Sequence, residues 1–148
     1  MDQKGEKVRR LKEEQEVGPL PSAGAFNRLY MAERARLVET SFAKLRRLGV
    51  SDNLAPVAEL NFNPSNPDMG ALERSFSAEP EAVRENVEIF SRATEACGIG
   101  LCLKHYPGLG GVSVNGHENT DRLAGPSTMR NSLCFTTLSP IYPERQFL

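Results

Sequence analysis

Residues 79–106, EPEAVRENVEIFSRATEACGIGLCLKHY, decide the fold that the sequence predicts. Apolar residues recur there three and four positions apart, as on one face of a helix: Val83, Val87, Phe90 and Ala93. Pro80 suits the first helical turn, and Gly98 is a typical helix stop. The apolar segment 99–106 follows at once and predicts a buried strand. A helix that leads directly into a buried strand is the repeating unit of an α/β fold.

A second helix and strand precede this unit. Residues 26–48 have the same helical period, and their apolar stripe consists of Ala35, Val38, Phe42, Leu45 and Leu48. Arg34 lies off that stripe. The short apolar segment 54–60, LAPVAEL, predicts a buried strand, although Pro56 would be awkward in a central ladder. The order helix, strand, loop occurs twice and therefore predicts a parallel sheet.

Two polar loops follow the two predicted strands, at residues 61–77 and 104–118. In α/β folds with parallel strands, chemistry lies at the carboxyl ends of the strands. We therefore expect the functional residues of this chain in these two loops.

Composition limits the classes of function. The chain has 148 residues, 39% apolar and 25% charged, enough for one modest domain. A net charge of −1 gives no reason to expect a nucleic acid or an anionic membrane as partner. No apolar run approaches the roughly 18 residues of a membrane span, and the N-terminus does not resemble a signal peptide. Three cysteines without CxxC spacing favour reduced thiols and a cytoplasmic location.

The loop 104–117, KHYPGLGGVSVNGH, contains both histidines of the chain. It is not followed by GK[ST], as a phosphate-binding loop would be, and it lacks metal-site spacing such as HExxH. Lys104 and His105 can bind hydroxyls or an anion, and His117 can transfer a proton near neutral pH. The plainer alternatives are a hydrogen-bonded strand end for His105 with His117 as a surface residue, and a carbonyl cap or carboxylate pair for Arg74. The residues alone leave both sets of alternatives open.

Four segments in order resemble one family. MDQKGEKVRRL is similar to DQEGGRVQRL, and LAPVAELNFNPSNPDMGALERSF is similar to FAPVxDxN…NPxIGxRSF. KHYPGLGG…NGH is similar to KHFPGHGD…DSH, and residues 77–99 match the helix before that segment. These are signatures of glycoside hydrolase family 3, in its β-N-acetylglucosaminidase branch, and they cover residues 2 to about 118.

The resemblance implies a TIM-type (β/α)₈ barrel that hydrolyses β-linked N-acetylglucosamine glycosides with retention and without a cofactor or metal. In the family an aspartate is the nucleophile and a histidine is the acid/base group. By resemblance the substrate-binding residues are Asp2, Arg10, Arg74, Lys104 and His105. His117 matches the acid/base histidine, and Asn115 stands where the family has its orienting aspartate.

The chain also departs from the family pattern. The analogous aspartate-to-asparagine change costs about 10⁴-fold in rate in a serine protease triad. No segment after His117 resembles the one that carries the family nucleophile. Barrels of this type usually need about 250 residues. We therefore expect an α/β partial barrel of about three parallel strands with intervening helices, over residues 1–121, and an irregular tail over 122–148.

A partial barrel suggests a truncated or frame-shifted reading frame, or half of a split protein. We expect the isolated chain to be inactive, although its family is enzymatic. The alternative function is a catalytically inactive fragment that only binds sugar weakly or docks with a complementary barrel fragment.

Overall fold

The structure is a computed structural model that describes residues 1–2, 5, 10–11, 18, 20–106, 108–111, 113 and 146–147. Its helices, in chain order, are α1 (Ala23–Asn27), α2 (Met31–Arg47) and α3 (Pro80–Cys97). Its strands are β1 (Asp52–Asn53), β2 (Gly100–Leu103) and β3 (Gln146–Phe147). The helices α2 and α3 pack against each other and α3 packs against β2.

The three strands form one sheet in the order β1-β2-β3, and both pairs are parallel. Asp52 lies opposite Gly100, and Cys102 lies opposite Gln146. The helix α3 connects β1 to β2, so these elements form the crossover that the sequence predicts. The prediction of about three parallel strands with intervening helices is confirmed, and within the described residues the sheet is open. The third strand, β3, lies in the segment 122–148, for which an irregular tail was predicted.

The first predicted strand differs from the observed one. The prediction covered residues 54–60, whereas β1 consists of Asp52–Asn53. The later residues still run beside β2, because Val57 forms an isolated parallel bridge with Lys104 and Ala58 donates to the Lys104 carbonyl at 2.9 Å. Pro56 lies between β1 and the Val57 bridge and has no N–H to donate, which explains the interrupted ladder.

The helix α3 agrees closely with the pattern in the sequence. Pro80 occupies its first turn, and Gly98 ends it with a left-handed φ of 63°. The apolar face is buried against α2 and the sheet: Val83, Val87, Phe90 and Ala93. Three further rings, those of Phe26, Phe42 and Phe76, have centroids 5.6–5.8 Å from that of Phe90. These aromatic contacts form the centre of the core.

The predicted helix over 26–48 is divided in the structure. The short helix α1 ends at Asn27, and α2 begins at Met31 with Tyr30 as its extended N-cap residue. Leu48 was expected in the apolar stripe, but 55% of it is exposed, and it lies at the C-cap, after the last residue of α2. Arg34 is buried instead, with its guanidinium 2.9 Å from Glu85 and 2.8 Å from the Asn86 amide oxygen. Arg34 precedes Val38 by four positions, about one helical turn, so it lies on the buried face of α2, and the prediction that placed it off the apolar stripe is wrong.

Candidate functional site

Lys104 lies directly after β2 and extends its ammonium group toward the N-terminal residues. Its Nζ donates to Oδ1 of Asp2 at 2.7 Å, and its side chain is 6% exposed. The Lys104 carbonyl accepts from Ala58, which fixes the backbone from which the side chain extends. Arg10 is more distant, with Nη2 4.0 Å from Oδ2 of Asp2 and a largely exposed side chain. A carboxylate therefore holds the buried cation in place, and a second cation lies nearby.

Arg74 approaches the same end of β2 from the loop after residue 60. Its Nη1 donates to the Asp68 carbonyl at 3.1 Å, and its Nη2 lies 3.4 Å from Nε2 of His105. The Arg74 backbone N–H donates to the Met69 carbonyl at 2.9 Å. Arg74 therefore caps a carbonyl, as one alternative from the sequence had it, and also contacts the candidate histidine.

The sequence interpretation missed Glu59 as a residue of this site. Its side chain is fully buried, and Oε1 accepts from the His105 backbone N–H at 2.9 Å and lies 2.5 Å from the ring Nδ1. Its other oxygen, Oε2, accepts from the backbone N–H of Leu109. A carboxylate in the apolar segment LAPVAEL was the signal that could have identified it, because buried carboxylates are rare unless they are paired.

Hydrogen bonds join the two loops that the sequence placed at the carboxyl ends of the strands. The Asn66 amide donates to the Leu109 carbonyl at 2.7 Å, and its oxygen accepts from two backbone N–H groups of its own loop. Asn63 donates from its backbone to the Gly110 carbonyl at 3.0 Å. A side chain at Gly70 would meet the Pro64 carbonyl oxygen at 2.2 Å, so this loop needs glycine there. The two loops thus form one connected surface.

Two predicted site residues, Asn115 and His117, lie outside the described residues, and their roles stay predictions. Within the described ranges, no three histidine, cysteine, aspartate or glutamate residues lie where they could share a metal ion. None of the helices α1, α2 and α3 is long and apolar enough to cross a membrane.

The described side chains offer a defined set of polar groups. Lys104 and Arg74 present donors only, Asp2 presents acceptors, and the His105 ring can present one of each. Charged donors and acceptors that are held by neighbouring groups bind hydroxyls or anions well. The arrangement therefore fits a small polar ligand.

Comparisons with known proteins agree on one family. The model of the glycosyl hydrolase family 3 N-terminal domain matches residues 1–134. Beta-hexosaminidase A of Pseudoalteromonas piscicida is 30% identical over 126 residues, 83% of this chain and 21% of that protein. A beta-hexosaminidase of Photobacterium profundum is 31% identical over 125 residues, 81% of this chain and 35% of that protein.

A solved structure has the same fold. The crystal structure of a β-N-acetylhexosaminidase from Beutenbergia cavernae superposes on 97% of this chain with a TM-score of 0.78 and 26% identity. The match covers 44% of that protein. The chain thus spans between about a fifth and less than half of the length of these three proteins.

Proposed function

The chain belongs to glycosyl hydrolase family 3, and from this premise we propose that its candidate site binds β-linked N-acetylglucosamine glycosides. One observation supports the proposal most directly. Lys104 with Asp2, and Arg74 with His105, meet at the carboxyl end of the parallel strands, where the folds of this class place their ligands. The names of the relatives, beta-hexosaminidase and β-N-acetylhexosaminidase, agree with a hexosamine as the sugar.

Each residue has a role in this proposal. Lys104 and Arg74 donate hydrogen bonds to sugar hydroxyls, and Asp2 accepts one while it holds Lys104; Arg10 adds positive charge beside Asp2. His117 is the acid/base group, next to Asn115 in place of an aspartate. Retaining hydrolysis also needs a carboxylate nucleophile. No segment after His117 resembles the one that carries this aspartate in the family. We therefore propose that this chain binds the sugar and does not complete the hydrolysis alone.

Calorimetry with N-acetylglucosamine tests the binding. We expect saturable heat with the folded chain and loss of that heat in Arg74→Met, because the guanidinium lies 3.4 Å from Nε2 of His105 and can donate to a sugar hydroxyl there. Arg36→Met, a change at an exposed position on α2, is the matched control and should leave the binding unchanged. No heat from a chain with a folded circular dichroism spectrum would contradict the proposal.

A chromogenic β-N-acetylglucosaminide tests the catalytic part. We expect no turnover by the purified chain above the rate of the buffer. Turnover that disappears in His117→Ala would show instead that the chain is a complete catalyst. In that case another carboxylate of this chain would have to act as nucleophile.

We also propose a partner, a complementary part of the barrel. The three described strands form an open sheet, whereas barrels of this class close with eight strands. Such a partner would supply the remaining strands and the nucleophile. Mixing the chain with the part of the Photobacterium profundum relative beyond the matched segment is expected to restore turnover. No restored turnover, despite complex formation in sedimentation, would contradict this role.

A cytoplasmic location is the remaining proposal from the sequence. The thiols of Cys97 and Cys102 are both free, which favours a reducing compartment. Cell fractionation with an antibody to the chain tests it, and recovery outside the cytoplasmic fraction would contradict it.

A further inference from the structure

Glu59 is a carboxyl group in a place where charge is costly. Its side chain is fully buried, and three nitrogen atoms lie within hydrogen-bond distance of its two oxygens. Two of these nitrogens belong to His105, the backbone N–H and the ring Nδ1, and the third is the backbone N–H of Leu109. Buried carboxylates are retained where such donors compensate for lost hydration. The compensation here comes almost entirely from the candidate site loop.

Two independent contacts favour one position for the proton on the His105 ring. An ionised carboxylate only accepts hydrogen bonds, so the ring nitrogen against Glu59, Nδ1, must carry a hydrogen. A guanidinium only donates, so the ring nitrogen against Arg74, Nε2, must be an acceptor. The neutral ring with hydrogen on Nδ1 is the form that satisfies both neighbours. The fully protonated ring would direct an N–H toward the Arg74 guanidinium.

We propose that Glu59 is a positioning residue that holds His105 in the Nδ1–H form, with Nε2 as the hydrogen-bond acceptor of the candidate site. Glu59 acts through His105 and the loop around Leu109. The part of this inference that concerns sugar rests on the proposed function. A hydroxyl can donate to Nε2 and accept from Arg74 at the same time, whereas an ionised phosphate or sulfate oxygen only accepts. The arrangement therefore favours hydroxyls over the anions that the sequence had left open.

The tautomer can be measured without any sugar. Nitrogen-15 NMR of the labelled chain distinguishes a protonated from an unprotonated ring nitrogen, and a His117→Gln variant assigns the signals of the two histidines. We expect His105 of the unmodified chain to show a hydrogen on Nδ1 and none on Nε2 at neutral pH. A hydrogen on Nε2, or an exchanging mixture of both forms in the folded chain, would overturn the inference.

Glu59→Gln tests whether Glu59 is the cause. The carboxamide has one acceptor atom and one donor group for three N–H partners, so one partner must meet a donor. We expect the Nε2–H form to become detectable and the affinity for N-acetylglucosamine to fall about tenfold. Glu39→Gln, at an exposed position on α2, is the matched control and should keep the single tautomer. A folded Glu59→Gln chain with the unmodified tautomer would contradict the role of Glu59.

Failure of the two proposals can be distinguished. The tautomer of the sugar-free chain decides the role of Glu59, even if Glu59→Gln does not fold, because the unmodified chain gives the first result. Absence of sugar binding by the unmodified chain counts against the proposed function. When sugar binds, a change in the Nε2 shift is expected, whereas sodium sulfate at the same concentration should not produce it. An equal shift with sulfate would overturn the preference for hydroxyls.

Discussion

The interface between α2 and α3 and the loops at the carboxyl end of the sheet use buried polar groups in opposite ways. In the interface, Arg34 and Asn86 lie beside a large apolar cluster centred on Phe90. In the loops, the buried groups Glu59 and Lys104 form the central contacts themselves, and each is hydrogen-bonded to a residue of a distant segment. Apolar burial supplies most of the free energy of folding, and polar contacts mainly fix geometry. Changes in the interface should therefore lower stability, and changes in the loops should mainly lower ligand affinity.

The largest effect is expected for Phe90→Ala in the interface. The ring contacts three other rings, and its removal leaves a cavity that costs about 3–5 kcal/mol in the free energy of unfolding. Urea unfolding followed by circular dichroism measures the loss. Tyr30→Ala is the control, because Tyr30 is 87% exposed, and a change within about 0.5 kcal/mol is expected. Equal losses in both variants would contradict this description of the core.

A smaller loss is expected for Arg34→Met. The change removes a buried guanidinium and leaves the Asn86 oxygen and the Glu85 carboxylate without that partner. An unsatisfied buried group costs about 1–3 kcal/mol, so we expect about 2 kcal/mol in the same unfolding experiment. Arg36→Met on the exposed side of α2 should change little. A stabilised Arg34→Met chain would show that the ion pair is not needed for the packing of α2 on α3.

Lys104→Met tests whether a change in the loops lowers ligand affinity more than it lowers stability. Its ammonium is nearly buried, but its partner Asp2 is partly exposed and can be hydrated after the change. We expect a stability loss below about 1 kcal/mol and a roughly tenfold loss of N-acetylglucosamine affinity. Thermal unfolding and calorimetry measure the two effects, with Lys44→Met on α2 as control. A greater stability loss than in Arg34→Met would remove the distinction between the two regions.

The smallest effect concerns the two described thiols. Burial raises the pKa of the Cys102 thiol, and the charge of Lys104 opposes this shift only in part. A higher pKa leaves less thiolate at neutral pH, and thiolate is the reactive form. In a Cys134→Ser chain, iodoacetamide should therefore modify the half-buried Cys97 faster than Cys102, as mass spectrometry of peptides would show. Faster modification of Cys102 would indicate that the end of β2 opens readily.

The sequence predicted the family, the parallel sheet and α3 because their signals are local. Pro80, the apolar period and Gly98 lie within one helix, and the family motifs are short and in order. The positions of both site loops followed from the same order of elements. The domain boundary at residue 121 stays a prediction.

Long-range contacts explain what the sequence could not give. The partners of Arg34 lie on α3 and the partner of Glu59, His105, lies after β2, so neither pairing follows from a local pattern in the sequence. The pairing of β3 with β2 joins segments with no shared pattern in the sequence. The residues between α1 and α2 include no glycine or proline that would have predicted a break in the helix.

The hydrogen bonds of the candidate site also bear on the order of folding. Arg74 and His105 are 31 positions apart, Glu59 and His105 are 46 apart, and Asp2 and Lys104 are 102 apart. Contacts over such separations require loop closure and form slowly compared with helices. Helical circular dichroism should thus recover early during refolding, and the ability to bind sugar should return only with the slowest phase.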